Sequence, residues 1–273
     1  MLHRKVNIFF LLALVFVFIL YGESQDHTQI LLGILFAVLL ATVAFLFNWL
    51  TIDGATAAAI CGSIAYGIGG VMGAAVVLIF FISSSLISKN KYQEGVVSEH
   101  SFRRDGSQVW ANGFWLSLWL LVWFLSDMDV FLLAGIASIA ASASDTWATE
   151  IGGNRLKSKT RLLTTWKVVP PGSDGGISLP GTLASLAGST LIAMTYLVLS
   201  TDSSFGVVAV IALAGFSGSF IDSYLGARFQ HKEVSNFVSL AGRRFQINNN
   251  FVNWFSTGAA SFISMILTLI ISL

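Results

Sequence analysis

Asp145, Thr146, Thr149 and Glu150 lie together in the stretch ASASDTWATEIGGN (141–154), inside a chain that is otherwise strongly apolar. Asp222 and Ser223 close another apolar run, Asn112 lies in DGSQVWANG, Asp53 opens a third run, and Asn248, Asn249, Asn250 and Asn253 open the last. A carboxylate at membrane depth costs about 2.5–3.5 kcal/mol on insertion scales. Four scattered carboxylates would be an unrewarded load, whereas four converging on a divalent cation would not. Solvated helix ends are the alternative for any single one. None of the four histidines, His3, His27, His100 and His231, lies in an apolar run, which argues against a zinc site and removes the usual base of a Ser-His hydrolase. Carboxylates and amides without histidine suit a hard cation such as Mg²⁺, held by one or two carboxylates together with substrate phosphates.

Phosphate chemistry also needs positive charge and backbone donors. Arg103, Arg104, Lys157, Lys159, Arg161, Lys167, Arg228, Arg243 and Arg244 sit between the apolar runs and are able to meet phosphate oxygens, arginine bidentately. For most of them a topological role alone is the alternative. PPGSDGGISLPGT (170–182) is a glycine- and serine-rich stretch leading directly into an apolar run. Backbone N–H groups of such a loop, with the following helix N-terminus, cradle phosphates; a plain loop with a helix cap is the competing reading. The stretch lacks GxxxxGK[ST], so a Walker-type ATPase is not indicated.

The elements that must position these residues are membrane helices. Hydrophobic residues make up 55% of the 273, charged residues 11%, and the mean hydropathy is +0.78, well outside the soluble range. A net charge of +1 gives no argument for nucleic acid, and the lone Cys61 excludes an internal disulfide. Runs long enough to span a bilayer occur at roughly 6–21, 29–47, 110–126, 130–148, 181–200, 205–222 and 251–272. The first follows basic residues but precedes no convincing cleavage site, so it is read as a retained helix. The segment 53–88, with Gly67, Gly69 and Gly70 at its middle, is one long helix or a hairpin of two short ones. Read as a hairpin, it puts all 15 lysines and arginines on one side, the side that retains them being cytoplasmic. The expectation is an all-α polytopic membrane protein with a single integral domain over 1–273 and about nine transmembrane helices. It includes a short Gly-broken hairpin, has its N-terminus in the cytoplasm, and resides in the plasma membrane with its chemistry on the cytoplasmic face. Short, glycine-interrupted spans often border a polar site; close packing through small residues is the alternative.

Four ordered blocks, RRDGSQVWANG, ASASDTWATEIGG, PPGSDGGISLPGTLAS and GSFIDSYLGARFQ, resemble the signature blocks of the membrane family known as domain of unknown function 92. The likeness runs from LTIDGATAAAICG to NNNFVN. That family includes vertebrate transmembrane protein 19 and the phytyl-phosphate kinases of plants and cyanobacteria. The resemblance implies use of a nucleoside triphosphate, typically CTP, to convert an isoprenyl (phytyl- or geranylgeranyl-type) monophosphate into the diphosphate. More distantly, Asp145, Ala148 and Gly152 match the DxxAxxxG pattern of dolichol-kinase-like and CDP-diacylglycerol-synthase-like enzymes, in which an acidic helix end and a following loop handle Mg²⁺–CTP; the lysine-rich stretch that often precedes it is missing here.

Under this reading Asp145 and Asp222 are the expected metal ligands, with Glu150 third and Asn112 in support. Thr146 and Thr149 hydrogen-bond the phosphate or the ligands. Arg103, Arg104, Lys157 and Arg161 contact phosphates, as do the backbone of Gly175 and Gly176 and the hydroxyl of Ser178. A phosphate monoester is already an anionic nucleophile at neutral pH, its second pKa lying near 6, so no general base is required. Trp115, Trp119 and Trp123 form a stripe that either lines a groove for the isoprenyl tail or serves packing. The partners expected are the isoprenyl-phosphate lipid, the nucleotide and the membrane, with a homo-oligomer left open. The competing functions are a transporter or carrier without chemistry and a CDP-lipid synthase-like nucleotidyltransferase.

Overall fold

The computed structural model describes residues 2–93, 103–153, 159–201, 204–230, 237–240 and 243–271. Nine helices form in chain order among them: α1 (Leu2–Leu20), α2 (Ser24–Leu46), α3 (Ile52–Gly67), α4 (Gly70–Gln93), α5 (Gly106–Ser126), α6 (Asp129–Gly152), α7 (Leu179–Leu199), α8 (Phe205–Phe229) and α9 (Asn249–Ile271). Eight of them are long and apolar enough to cross a membrane; α3, at 16 residues, is the short one. The connections also carry small sheets that the apolar patterning did not foretell. β1 (Thr160–Leu162), β2 (Val168–Val169) and β3 (Gly176–Ile177) pair antiparallel in the order β2-β1-β3, and β4 (Phe237–Leu240) pairs antiparallel with β5 (Arg243–Gln246).

The segment 53–88 is a hairpin, as the one-sided placement of lysine and arginine predicts. Helix α3 ends at Gly67, and Gly70 takes φ +57°, a conformation open mainly to residues without a Cβ. Helix α4 then runs back beside α3, so that Phe81 packs on Trp49, which precedes α3, with ring centroids 5.8 Å apart. The amino end of α1 is at the same end of the bundle, where His3 lies 3.9 Å from Asp53 and within hydrogen-bond distance of Ser107.

Helix α6 is the axis of the bundle. Every residue from Leu133 to Ser144 is buried, and α6 packs against α4, α5, α7, α8 and α9. A helix enclosed on all sides has no polar face to expose. Its AGIASIAASAS composition reflects the small residues that let neighbouring backbones approach where no aqueous hydrophobic effect drives association. Gly215 of α8 shows how close the approach is: a Cβ there would lie 2.6 Å from that of Ala140.

A second device fixes the entrance to α5. The main chain of Arg104 donates to Trp49 O and accepts from Thr51 N, both at 3.0 Å. Thr51 caps α3 by accepting from Gly54 N, and Asp53 Oδ2 accepts from Gly106 N at 3.0 Å. A Cβ on Gly54 would be 2.2 Å from Arg104 O. The sequence TIDG therefore ties the start of α3 to the start of α5.

Candidate functional site

A polar cavity of about 280 Å³ opens at the end of the bundle where the basic segments lie, walled by α5, α6, α7, α8, α9 and the loop 172–178. Asp145 reaches it from α6 and Asp222 from α8, and their carboxyl groups are in hydrogen-bond contact. Two carboxyl groups at that separation need a shared proton or a cation between them, because like charges so close repel strongly. Ser256 Oγ donates to Asp222 Oδ2 at 3.2 Å, and the Asn253 amide, turned so that both its groups are satisfied, donates to the same oxygen at 3.0 Å. Below the pair, Ser144, Ser185 and Ser219 are linked hydroxyl to hydroxyl at 2.6 and 2.9 Å. This buried chain gives each hydroxyl a partner and joins α6, α7 and α8 directly under the two carboxylates.

Most of the residues expected from the sequence meet here. Asp145, Asp222, Asn112, Thr146, Thr149, Glu150, Arg104, Gly175, Gly176 and Ser178 all line the cavity. Asn112 Nδ2 donates to Gln108 O at 2.9 Å. Ser178 Oγ accepts from Gly181 N at 3.3 Å as the cap of α7, whose N-terminus faces the cavity and is suited to an anion. Gly175 takes φ +72°, and a Cβ there would fall 2.2 Å from Ala227 N. The glycine thus seats the loop directly against α8, close to Asp222.

Other expectations are corrected. Arg103 points away from the cavity: its guanidinium donates to Leu50 O at 3.0 and 3.3 Å and lies over the Phe45 ring at 5.6 Å. Arg161 is exposed on β1 and donates to Trp166 O at 2.9 Å, which closes the β1–β2 turn and leaves it outside the cavity lining. The Gly176 N–H is committed to Ser173 O at 2.9 Å, so of that pair it is not the phosphate donor. Glu150 accepts from Ser88 Oγ at 2.9 Å and interacts with the charge of Arg104. Among the described residues no three His, Cys, Asp or Glu side chains form a group that could hold a metal by themselves, so the structure does not gather Glu150 with the two aspartates into a three-carboxylate group. Asp53 is taken up by the α3–α5 tie described above rather than by the cavity. Lys157 lies outside the described residues.

The remaining donors, two carboxylates with amide and hydroxyl groups, fit a hard cation that completes its shell with water and phosphate oxygens, as Mg²⁺ does. Arg104 supplies the positive charge. Its guanidinium lies over the rings of Phe80 and Phe81 at 5.4 and 5.5 Å. Desolvation lowers its pKa to about 10, opposed by the charge of Glu150, so it remains a cation at neutral pH.

Sequence reasoning missed Gln108, Asp174, Ser185 and Ser219, all in the cavity wall. Gln108 was available from spacing, one helical turn before Asn112. Asp174, whose charge acts on Asp222, was hidden by the glycines on either side of it. The tryptophan stripe proves to be packing: Trp115 stacks on Trp119 and donates to Trp254 O at 2.8 Å, Trp119 stacks on Phe131, and Trp123 donates to Asp129.

A second cavity, of about 380 Å³ and almost wholly apolar, lies between α2, α3, α4 and α5. Arg104, Gln108 and Asn112 line both cavities.

Comparison with known proteins places the same residues in a wider set. The family described as Integral membrane protein DUF92 matches residues 35–261, a span that includes every residue named above as lining the polar cavity. Protein PGR of Arabidopsis thaliana is 28% identical over 249 residues, covering 81% of this chain and 85% of that protein. Protein VTE6, chloroplastic, of the same plant is 28% identical over 234 residues, covering 81% of this chain and 66% of that protein. An uncharacterized membrane protein of Methanocaldococcus jannaschii is 32% identical over 162 residues, covering 59% and 66% respectively. No solved structure matches.

Proposed function

This chain belongs to the DUF92 family of integral membrane proteins, and we propose that it is a CTP-dependent kinase converting an isoprenyl monophosphate of phytyl or geranylgeranyl type into the diphosphate. The observation that carries the reading is the contact between Asp145 and Asp222 in a polar cavity flanked by Arg104 and the α7 N-terminus. The resemblance to phytyl-phosphate kinases supports the substrate class. The concentration of basic residues at the cavity's end supports a cytoplasmic site in the cell membrane, where a soluble nucleotide meets a lipid headgroup.

In the proposed reaction an oxygen of the acceptor phosphate bonds to the γ-phosphorus of CTP, the bond from that phosphorus to the bridging oxygen breaks, and CDP leaves with the electron pair. Such transfers need positioning and charge neutralisation more than covalent help from the protein. Asp145 and Asp222 would hold Mg²⁺, which when bound supplies neutralisation of the phosphate oxygens. Thr146 and Thr149 hydrogen-bond phosphate oxygens, and the α7 N-terminus, held by Ser178, aligns backbone donors with them. Arg104 offsets the repulsion between two anions that must approach each other.

The test is turnover by purified protein in lipid with Mg²⁺, each nucleoside triphosphate in turn, and phytyl or geranylgeranyl monophosphate. Diphosphate and CDP, both lost in Asp145→Asn, are the expected products. Pyrophosphate release would identify a nucleotidyltransferase instead, and silence with every nucleotide would favour a carrier built on the same paired carboxylates.

A further inference from the structure

We infer that the apolar cavity between α2, α3, α4 and α5 is the seat of the acceptor's prenyl chain, and that Arg104 holds the acceptor phosphate at the mouth it shares with the polar cavity. The inference rests on the lipid-phosphate reading of the polar site and gives that substrate a position. Three observations carry it. The two cavities adjoin at Arg104, Gln108 and Asn112, which line both, so a molecule with its head beside Arg104 has an apolar cavity next to it for its tail. The floor of that cavity is built of small residues on α3, among them Ala58, Cys61 and Ala65, facing Ala74 and Leu78 of the returning α4. Its rim is open to lipid, since Phe36 and Leu40 of α2 and Val71 of α4 are 45%, 47% and 63% exposed.

The dimensions suit a chain rather than a compact group. The lining of α4 runs from Phe81 beside Arg104 to Val71 at the hairpin turn, about 15 Å at the rise of an α-helix, which accommodates several isoprene units end to end. Taking a prenyl chain out of hydrocarbon carries a cost for every CH₂ exposed, so a head drawn into the polar cavity requires an apolar path for its tail. The tryptophan seam between α5 and α9 offers none, being filled by its own rings. Arg104 is placed to choose the head: its main chain is locked to Trp49 and Thr51, and its guanidinium is confined by two aromatic rings.

A prenyl monophosphate with a photoactivatable diazirine at its tail end tests this without nucleotide. Irradiation of the intact protein in nanodiscs should label residues 58–81, and excess geranylgeranyl monophosphate should abolish the label whereas excess phosphatidylcholine should not. Labelling centred on Trp115 and Trp119 would overturn the inference, as would labelling of 58–81 that phosphatidylcholine competes away, the mark of an ordinary bilayer lipid. In turnover, Ala74→Phe should lower kcat/KM for the geranylgeranyl acceptor roughly tenfold more than for the geranyl acceptor; equal loss would count against the tail site. The two readings fail separately. Specific labelling without turnover by any nucleotide removes the kinase and leaves a lipid-phosphate site, whereas turnover with labelling elsewhere removes the tail site and leaves the kinase.

Discussion

Asp145 and Asp222 come from different helices and meet in the polar cavity. Asp145→Asn and Asp222→Asn should each lower kcat by about 10²–10³-fold or more while the protein stays folded, because an amide keeps the side chain's shape and its hydrogen bonds to neighbours. Circular dichroism and steady-state kinetics on the same preparations check this, and a loss of fold equal to the loss of rate would argue for a structural pair. The neighbouring arginines should separate cleanly. Arg104→Gln should raise the acceptor KM by about 10–100-fold, the loss of a charge-assisted hydrogen bond, whereas Arg103→Gln should leave KM unchanged and lower thermal stability, since its bonds go to Leu50 O. Nothing in the dipeptide Arg103-Arg104 tells the two apart. The difference arises because the Leu50–Arg104 bridge fixes the direction of each side chain. The aspartates, by contrast, were legible: an acidic residue at the end of an apolar run is costly enough to demand an explanation. Asp174 was not legible, because a carboxylate in a glycine-rich loop looks solvated until the loop is seen against α8.

At the scale of the element, the packing of small residues around α6 sets how far apart the aspartates stand. Gly215→Val places a branched side chain where even a Cβ would overlap Ala140. It should push α8 off α6, lowering stability by about 1–3 kcal/mol and activity with it. The lipid-facing Leu213→Val should do neither, as thermal unfolding in detergent and turnover would show. Gly175→Ala combines a positive φ with a clash against Ala227 and should cost activity through displacement of the 172–178 loop. The helices were readable from apolar runs, and the hairpin from the placement of lysine and arginine around a segment broken by glycines at 67–70. The strands in the connections were not, because β1 and β2 are too short for a period of two to register, and they turn at Trp166, a bulky residue that takes φ +58°.

For the molecule as a whole, alternating directions through the nine described helices put the polar cavity and the start of α1 at one end and the 67–70 turn at the other. In a Cys61→Ala background, Val71→Cys should react with a membrane-impermeant maleimide from the side opposite to that which labels Trp166→Cys; labelling of both from one side would overturn the topology. Removal of divalent cations by chelation should abolish turnover, and Mg²⁺ should restore it. The small residues of the bundle carry one more consequence, for biosynthesis. Asp145 enters the membrane on α6 before α8 exists, because Asp222 is encoded about 80 residues later, roughly 4–16 s at ordinary rates of translation. During that interval Ser144 first lacks its partner Ser185 on α7, and Ser185 then lacks Ser219 on α8. The nascent chain therefore passes through a stage in which the helix that carries Asp145 and its buried serines is half-enclosed, and the insertion machinery or a chaperone within the bilayer must shelter that helix until the last third of the protein arrives.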